Sequence, residues 1–507
     1  MMRLVSATVS SESLYDQVRY PGRVYPETHP DRLATLAILH GLGPAPIEHC
    51  RVLEIGCGDG SNLIPMALGL PGSEFVGLDV AQDSVARAQA LIAELGLKRI
   101  DVRAMDLRDA GAELGVFDYI IAHGLYSWVP PDTREKLLAL CSSALAPAGV
   151  AFISYNTYPA GHIRQISRDL MRYSVAARSE PAQSVEQGRA FLEFLSHCTE
   201  DEEPWKTVSR TEVERLANRD DAVTFHDELG EHFAPAYFSD FVAAAARHGL
   251  QYLSEASLRD TMNSHASVEN RKILTELAEG DIVRYQQYLD FLLFRAFRRT
   301  LLCRGSLSVQ REGFAARLCG LHIATPLLRV AGSDAVSEFG NRHGAGIVKT
   351  NNPVLVAALA WLGERWPRAE PFAAVLQHVR SGLSDEQREG AEPGLAQDLL
   401  RLAANGLVDL RTYSPPLEHA PGETPMTNPL ARLQARQGSS VTTLLHTHVD
   451  LEDAVSRRLL QLLDGKTSLR EVGQSLLFEF TYLTGDAVDV KVRNKVAELA
   501  ALGLIQA

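Results

Sequence analysis

The segment VLEIGCGDGSNL, Val52–Leu63, runs four mostly apolar residues into Gly56, Gly58 and Gly60, spaced two apart. A strand that ends in closely spaced glycines bends tightly around a ligand. Outward from it, between Cys50 and Asn156, strand-like runs alternate with helical ones: RVLEIG, SEFVGLDV, RIDVRAMDL, FDYIIAHG and GVAFISYN, with DSVARAQALIAELG and PDTREKLLALCSSAL among the helices. That alternation predicts an α/β fold, a Rossmann-like doubly wound parallel sheet with right-handed crossovers. Ligands of such sheets sit beyond the carboxyl ends of the strands, where these runs place Gly56, Asp79, Asp106, His123 and Asn156.

The 507 residues exceed what one hydrophobic core serves, so two to four domains are expected. Apolar residues at 46% and charged residues at 22% match an ordinary globular protein and exclude a disordered or fibrous one. No apolar run reaches signal-peptide or membrane-spanning length, which gives a cytoplasmic expectation without membrane insertion. Six scattered cysteines without a CxxC pair suit neither a disulfide framework nor a zinc site, and sixteen histidines without compact ligand spacing offer no metal site. A formal charge of −13 disfavours nucleic acid and anionic lipid and mildly favours basic partners.

Residues 1–45 read as an arm and a helix, YPGRVYPETHPDRLATLAILHGLG, in which Thr28-His29-Pro30-Asp31 fits a capping box and leaves Tyr20 and Tyr25 unexplained. The α/β core spans 46–165. Residues 166–304 read as a helical middle domain, carrying PAYFSDFVAAAARHGLQYL and IVRYQQYLDFLLFRAFRRTLL as amphipathic stretches, and 305–352 as a connector with a hairpin. Two units, 353–413 and 429–507, each read as three helices closed by a strand after a Gly-Leu step, winged-helix-like and joined by a Pro-rich linker at 414–428. Neither unit carries an excess of basic residues, so protein interaction is expected ahead of DNA binding.

A dinucleotide fingerprint places its third glycine where Ser61 stands; here that glycine comes one residue early, at Gly60. Glu54 lies two residues before the first glycine. Its charge repels a pyrophosphate and favours the ammonium of an amino acid. Asp79, nineteen residues after Gly60, can accept ribose hydroxyls, and Asp106 can accept an adenine amino group. A ligand with ribose, adenine and a zwitterionic amino acid is S-adenosyl-L-methionine.

VLEIGCGDGSNL with VGLDVAQDSVARAQ resembles the first two motifs of class I S-adenosylmethionine-dependent methyltransferases. Beyond the core, YPETHPDRLATLA, AHGLYSWVP, SYNTYP, YFSDFVAAAARHGLQYLSEA and QYLDFLLFRAFRRTLLCR resemble bacterial methyltransferases with a methyltransferase regulatory domain, a group that includes the rickettsial outer-membrane-protein lysine methyltransferases. The resemblance covers most of the chain and is looser after about residue 350. It implies that the helical middle is the regulatory domain and that a protein lysine is a plausible acceptor. The cofactor set expected from motifs and resemblance together is Tyr20, Thr28, Glu54, Gly56, Cys57, Gly58, Gly60, Asn62, Asp79, Val80, Asp106, Leu107 and His123. One departure touches the acceptor: where the family follows its Tyr-Asn-Thr segment with Pro-Gly-Trp, Pro159 is followed here by Ala160, Gly161 and His162.

Methyl transfer from a sulfonium is an in-line displacement that demands positioning more than covalent machinery. Candidate acceptor-side residues are His123, Tyr126, Ser127, Trp128, Tyr155, Asn156 and Tyr158, whose aromatic faces and oxygens can hold an amine. Trp128 and Tyr158 serve equally well as packing between sheet and helices, and His123 as a structural histidine. The expected partner is a protein substrate, lysine-rich in one reading. The alternatives are a small-molecule N- or O-methyltransferase, a cofactor-sensing module without turnover and, distantly, an NAD-dependent oxidoreductase. The oligomeric state is left open.

Overall fold

A computed structural model of the chain describes residues 15, 18–175, 180–198, 204–332, 336–342, 344, 346–384, 390–480 and 488–507. Its centre is a seven-stranded sheet formed by β1 (Arg51–Ile55), β2 (Glu74–Asp79), β3 (Ile100–Ala104), β4 (Phe117–Ala122), β5 (Leu145–Asn156), β6 (Leu250–Glu255) and β7 (Phe297–Arg304). The order is β3-β2-β1-β4-β5-β7-β6. The first five strands are parallel, and β7 runs antiparallel between β5 and β6. Chain order reverses at β1, so the crevice beyond Ile55 is the topological switch point where such sheets bind ligands.

Strand alternation sorts the sheet into two cores. Tyr119, Ile121, Val150 and Phe152 pack on one face with the helix Pro30–Leu39; Ile120, Ala122, Ala151, Ile153 and Tyr155 pack on the other with Phe241 and Ala245.

The last two strands come from the middle region, which is otherwise helical as its pattern predicts. The helix Phe238–Arg247 stops before Gly249, which turns at φ +72°, and LQYLSE continues as β6. The helix Ile282–Leu293 ends at Phe294 in the left-handed region, and FRRTLLCR continues as β7. A buried charge hides this strand from a hydrophobic pattern. Arg298, fully buried on β7, binds Asp290 through Nε and Nη2 at 2.8 Å, the Gln286 carbonyl at 3.0 Å and Glu255 of β6, and lies 4.0 Å over the Phe238 ring.

The connector forms β8 (His322–Ala324) and an antiparallel meander of β9 (Leu327–Gly332), β10 (Ser337–Asn341) and β11 (Ile347–Thr350). The first terminal unit packs the helices Pro353–Arg365, Phe372–Ser381 and Ala391–Ala404 with β12 (Glu370–Pro371) and β13 (Asp409–Arg411), which flank β8. Its apolar residues, through Leu410, join the same core as the helix Pro30–Leu39. The segment read as a linker carries β14 (Met426–Thr427), paired with the final strand β17 (Ile505–Gln506). Among its described residues the second unit has four helices, Pro429–Gln437, Ala454–Leu462, Leu469–Glu479 and Val488–Ala501, around its own core, and a hairpin of β15 (Ser440–Thr442) and β16 (His448–Asp450). Among the described residues no helix is long and apolar enough to cross a membrane, and no group of three His, Cys, Asp or Glu is arranged to hold a metal ion.

Replacing Arg298 strands Asp290 and Glu255 as buried charges. Arg298→Met is expected to cost about 3–5 kcal/mol, read as a lowered urea midpoint.

Candidate functional site

The turn after β1 is built by glycines in conformations other residues avoid. Gly56, Gly58 and Gly60 have φ of +76°, +55° and +72°, and the amides of Gly56 and Cys57 both donate to the Leu78 carbonyl, at 2.7 and 3.1 Å. Gly58 faces open space, whereas a Cβ at Gly60 would lie 2.9 Å from Ile64. Gly58 therefore shapes a cavity of about 390 Å³, and Gly60 packs the loop onto the helix Leu63–Gly69.

Of the expected cofactor residues, Tyr20, Glu54, Gly56, Cys57, Gly58, Asn62, Asp79, Val80, Asp106, Leu107 and His123 line this cavity, as does Trp128. Thr28 and Gly60 stand behind the wall; the Thr28 hydroxyl donates to the Tyr25 carbonyl at 2.7 Å and accepts from Asn62 Nδ2 at 3.0 Å.

Glu54 is the electrostatic centre. Buried at the end of β1, it accepts the Asn62 Nδ2 hydrogen at 2.7 Å on Oε1, while Oε2 is buried without a partner. Desolvation pushes its carboxyl up to about 8, the Asn62 bond opposing and nearby Asp79 adding to the rise. Asp79 is raised by burial as well, although it accepts from Gly58 N at 2.7 Å and Ala81 N at 2.9 Å. Asp106 is gripped by the Arg108 guanidinium, which holds its carboxyl below the usual range.

His123 Nδ1 lies 3.0 Å from Ser154 Oγ, which also accepts the Gly124 amide at 2.8 Å, and its ring packs on Tyr25 with centroids 3.9 Å apart. Burial, with Arg299 adding to it, lowers its imidazole to about 4. It is neutral at pH 7 and a weak proton acceptor.

The other acceptor-side expectations separate. Trp128 touches the cavity and on its far side packs against Phe233, with the Arg164 guanidinium 5.0 Å away. Tyr126 and Tyr155 lie in the core beneath the sheet: Tyr155 stacks on Phe241 at 4.1 Å and shares a hydrogen bond with Thr300, and Tyr126 meets Phe241 edge-on. Asn156 and Ser127 are buried, joined by the Asn156 amide donating to Ser127 Oγ at 2.9 Å, and neither lines the cavity. Tyr158 stacks on His162. Period-2 alternation explains the division. Ser154 shares the face of His123, and Tyr155 points to the opposite one.

The arm, source of the expected cofactor residues Tyr20 and Thr28, forms a wall of the cavity with Tyr20, Pro21, Gly22, Arg23 and Tyr25. Arg19 pairs with Asp59 at 2.8 Å, the Val18 carbonyl meets His226 Nε2 at 2.6 Å, and Tyr20 packs beside His226. Gly22 crosses so close that a Cβ would lie 2.0 Å from Ser61 Oγ, so only glycine passes there; this residue was the available signal. Two further participants, His446 and His448, come from the hairpin β15–β16. His446 Nε2 lies 2.9 Å from Asn62 Oδ1, and Val24 N donates to His448 Nε2 at 3.1 Å.

The residues fit S-adenosylmethionine. The orphaned Glu54 oxygen suits an ammonium, Gly58 leaves room above the turn, and Asp79 stands at the end of β2 where ribose hydroxyls are accepted. Comparison with known proteins agrees. Residues 52–149 match a family described as "Methyltransferase domain", residues 220–304 the "Predicted methyltransferase regulatory domain", and residues 423–481 the "PKMT, C-terminal winged helix domain". The uncharacterised protein RP789 of Rickettsia prowazekii is 30% identical over 508 residues, covering 97% of this chain and 90% of that one. The chain belongs to the class I S-adenosylmethionine-dependent methyltransferases that carry a methyltransferase regulatory domain. A second uncharacterised relative, RP028 of the same organism, is 31% identical over 240 residues, 47% of this chain and 96% of its own. In fold, the methyltransferase superimposes on PKMT2 from Rickettsia typhi, solved in complex with AdoHcy, with a TM-score of 0.85, 24% identity and coverage of 96% and 99% of the two chains. The segment matching the regulatory family includes β6 and β7, so it completes the sheet of the catalytic core.

Two outcomes follow. Asp79→Ala is expected to lower the affinity for S-adenosylhomocysteine by about 100-fold, the loss of charged hydrogen bonds worth about 3 kcal/mol, as titration calorimetry would show. For Glu54, the folded pKa lies above the unfolded one. Between about 4.5 and 8 the folded state holds the extra proton, and wild-type stability falls with rising pH by at most about 1.4 kcal/mol per unit. Glu54→Gln removes that slope. From pH 5 to 8 its melting temperature should gain on wild type, while its affinity for the same ligand drops about tenfold or more.

Proposed function

We propose that this methyltransferase modifies lysine side chains of protein substrates. The observation that carries the reading is the match of residues 423–481 to the PKMT winged-helix family, PKMT denoting protein lysine methyltransferase, in a unit whose hairpin bonds to Asn62 in the wall of the cofactor cavity. The fold shared with PKMT2 of Rickettsia typhi over almost the whole chain supports it. The terminal units also offer more surface than a small acceptor needs.

Bound S-adenosylmethionine supplies a methyl group on a sulfonium for in-line displacement. Glu54 and Asp79 hold the amino-acid and ribose ends, which leaves the chain to position an amine. A lysine ammonium, with an ordinary pKa near ~10.4, must lose its proton first. No strong base is needed if the site excludes water: Tyr20, Tyr25 and Trp128 give aromatic walls that receive the cation and desolvate it, and desolvation favours the neutral amine. His123 stays neutral and sets no positive charge against the incoming ammonium.

Purified enzyme incubated with methyl-labelled S-adenosylmethionine and a lysate of its source organism tests the proposal. Label is expected in protein, located on lysine by mass spectrometry. Label only in the small-molecule fraction assigns a small-molecule acceptor instead, and cofactor binding without any label assigns a sensing module.

A further inference from the structure

Asn62 lines the first of two cavities and His446 the second. One is the cofactor cavity; the other, of about 510 Å³, lies where the helix Pro30–Leu39 meets both terminal units and is lined by His29, Arg32, Trp366, Arg411, Tyr413 and His446. His446 occupies the turn of the hairpin β15–β16. It is buried, sits 5.2 Å from the His29 ring, and holds a left-handed backbone at φ +58°, a conformation that costs a non-glycine residue free energy and persists where surrounding contacts enforce it.

Hydrogen bonds within the turn hold that backbone, His446 N donating to the Thr443 carbonyl at 3.1 Å and Thr443 N to the Thr447 carbonyl at 2.9 Å, while the side chain makes one hydrogen bond across 384 residues of sequence, Nε2 to Asn62 Oδ1 at 2.9 Å. Asn62 Oδ1 also accepts from Tyr25 N at 2.9 Å, and Asn62 Nδ2 donates to Glu54 Oε1 and Thr28 Oγ1. The amide thus has one workable direction. Turned over, its NH2 would face the Tyr25 and His446 donors, and its oxygen would face the Glu54 carboxylate. Burial lowers His446 to about 3, so at neutral pH the ring has a single N–H, and the Asn62 oxygen calls for it on Nε2.

We infer that His446, contributed by the C-terminal unit, is a positioning residue of the cofactor site: through Asn62 it orients the Glu54 carboxylate so that Oε2 faces the amino group of S-adenosylmethionine. The second winged-helix unit then completes the cofactor site rather than only recruiting a substrate. The same hairpin fixes the arm beside it, since His448 accepts the Val24 amide.

Calorimetry on the full-length protein with two ligands separates this role from general support of the fold. S-adenosylhomocysteine carries the amino-acid group; 5′-methylthioadenosine lacks it. His446→Leu is expected to weaken the first by about tenfold and to leave the second within about twofold. His446→Gln, which restores an N–H donor, should recover most of the loss. Asn62→Leu, which removes the receiving amide and leaves the hairpin intact, should reproduce the selective loss and serves if His446→Leu does not fold. Equal weakening of both ligands, unchanged binding of S-adenosylhomocysteine, or a loss as large in His446→Gln as in His446→Leu would overturn the inference.

Discussion

A carboxylate out of water with one oxygen unpartnered is an expensive thing for a fold to keep, and Glu54 is that group. Burial without compensation raises its proton affinity, so the free protein meets the cost largely by protonating it. The arrangement becomes favourable only with a cation beside Oε2. The surroundings serve that end: β1 delivers the side chain to the switch point, and Asn62 takes one oxygen and leaves the other. The arm contributes Tyr25 and Thr28 around the same amide, and the hairpin contributes His446. Residues from 25 to 446 converge on one side chain, so the α/β layer alone does not make the site.

The part of this legible in the sequence is the part encoded locally. The run from Val52 to Leu63 states its strand and its turn within twelve residues, and the positive φ of Gly56, Gly58 and Gly60 bears out the reading of a tight bend. β1 to β5 follow from apolar runs with caps between them. β6 and β7 escaped because their inward positions include Glu255, Arg298 and Thr300, polar groups that satisfy one another across strands and leave no hydrophobic period to read. The acceptor residues show a different limit. Position at a strand end is visible in sequence, but the face is decided by register. Tyr155 and Ser154 are neighbours, and only Ser154 faces His123. The hairpin histidines carried no signal at all, because their partners lie far away in sequence.

The arm and the hairpin also change how the terminal region is to be understood. The first terminal unit shares one continuous core with the helix Pro30–Leu39 and through it with the catalytic sheet. The second has a separate core and touches the site through a short loop. It also packs on the first unit through Leu445 and Ala501 beside Trp366, whose Nε1 donates to the Ala501 carbonyl at 2.7 Å, so the hydrogen bonds to Asn62 and Val24 belong to a larger junction.

The protonation states sharpen this. His29, His123 and His446 are pushed well down by burial, so these three imidazoles are neutral across the physiological range, and burial lowers His226 as well. Glu54, raised to about 8, is the group of this set whose charge changes near pH 7. An ammonium is received far more strongly by the ionised carboxylate than by the neutral acid. Capture of the cofactor's amino-acid end is thus coupled to loss of a proton from Glu54, and the groups that orient Glu54 govern how readily that proton leaves.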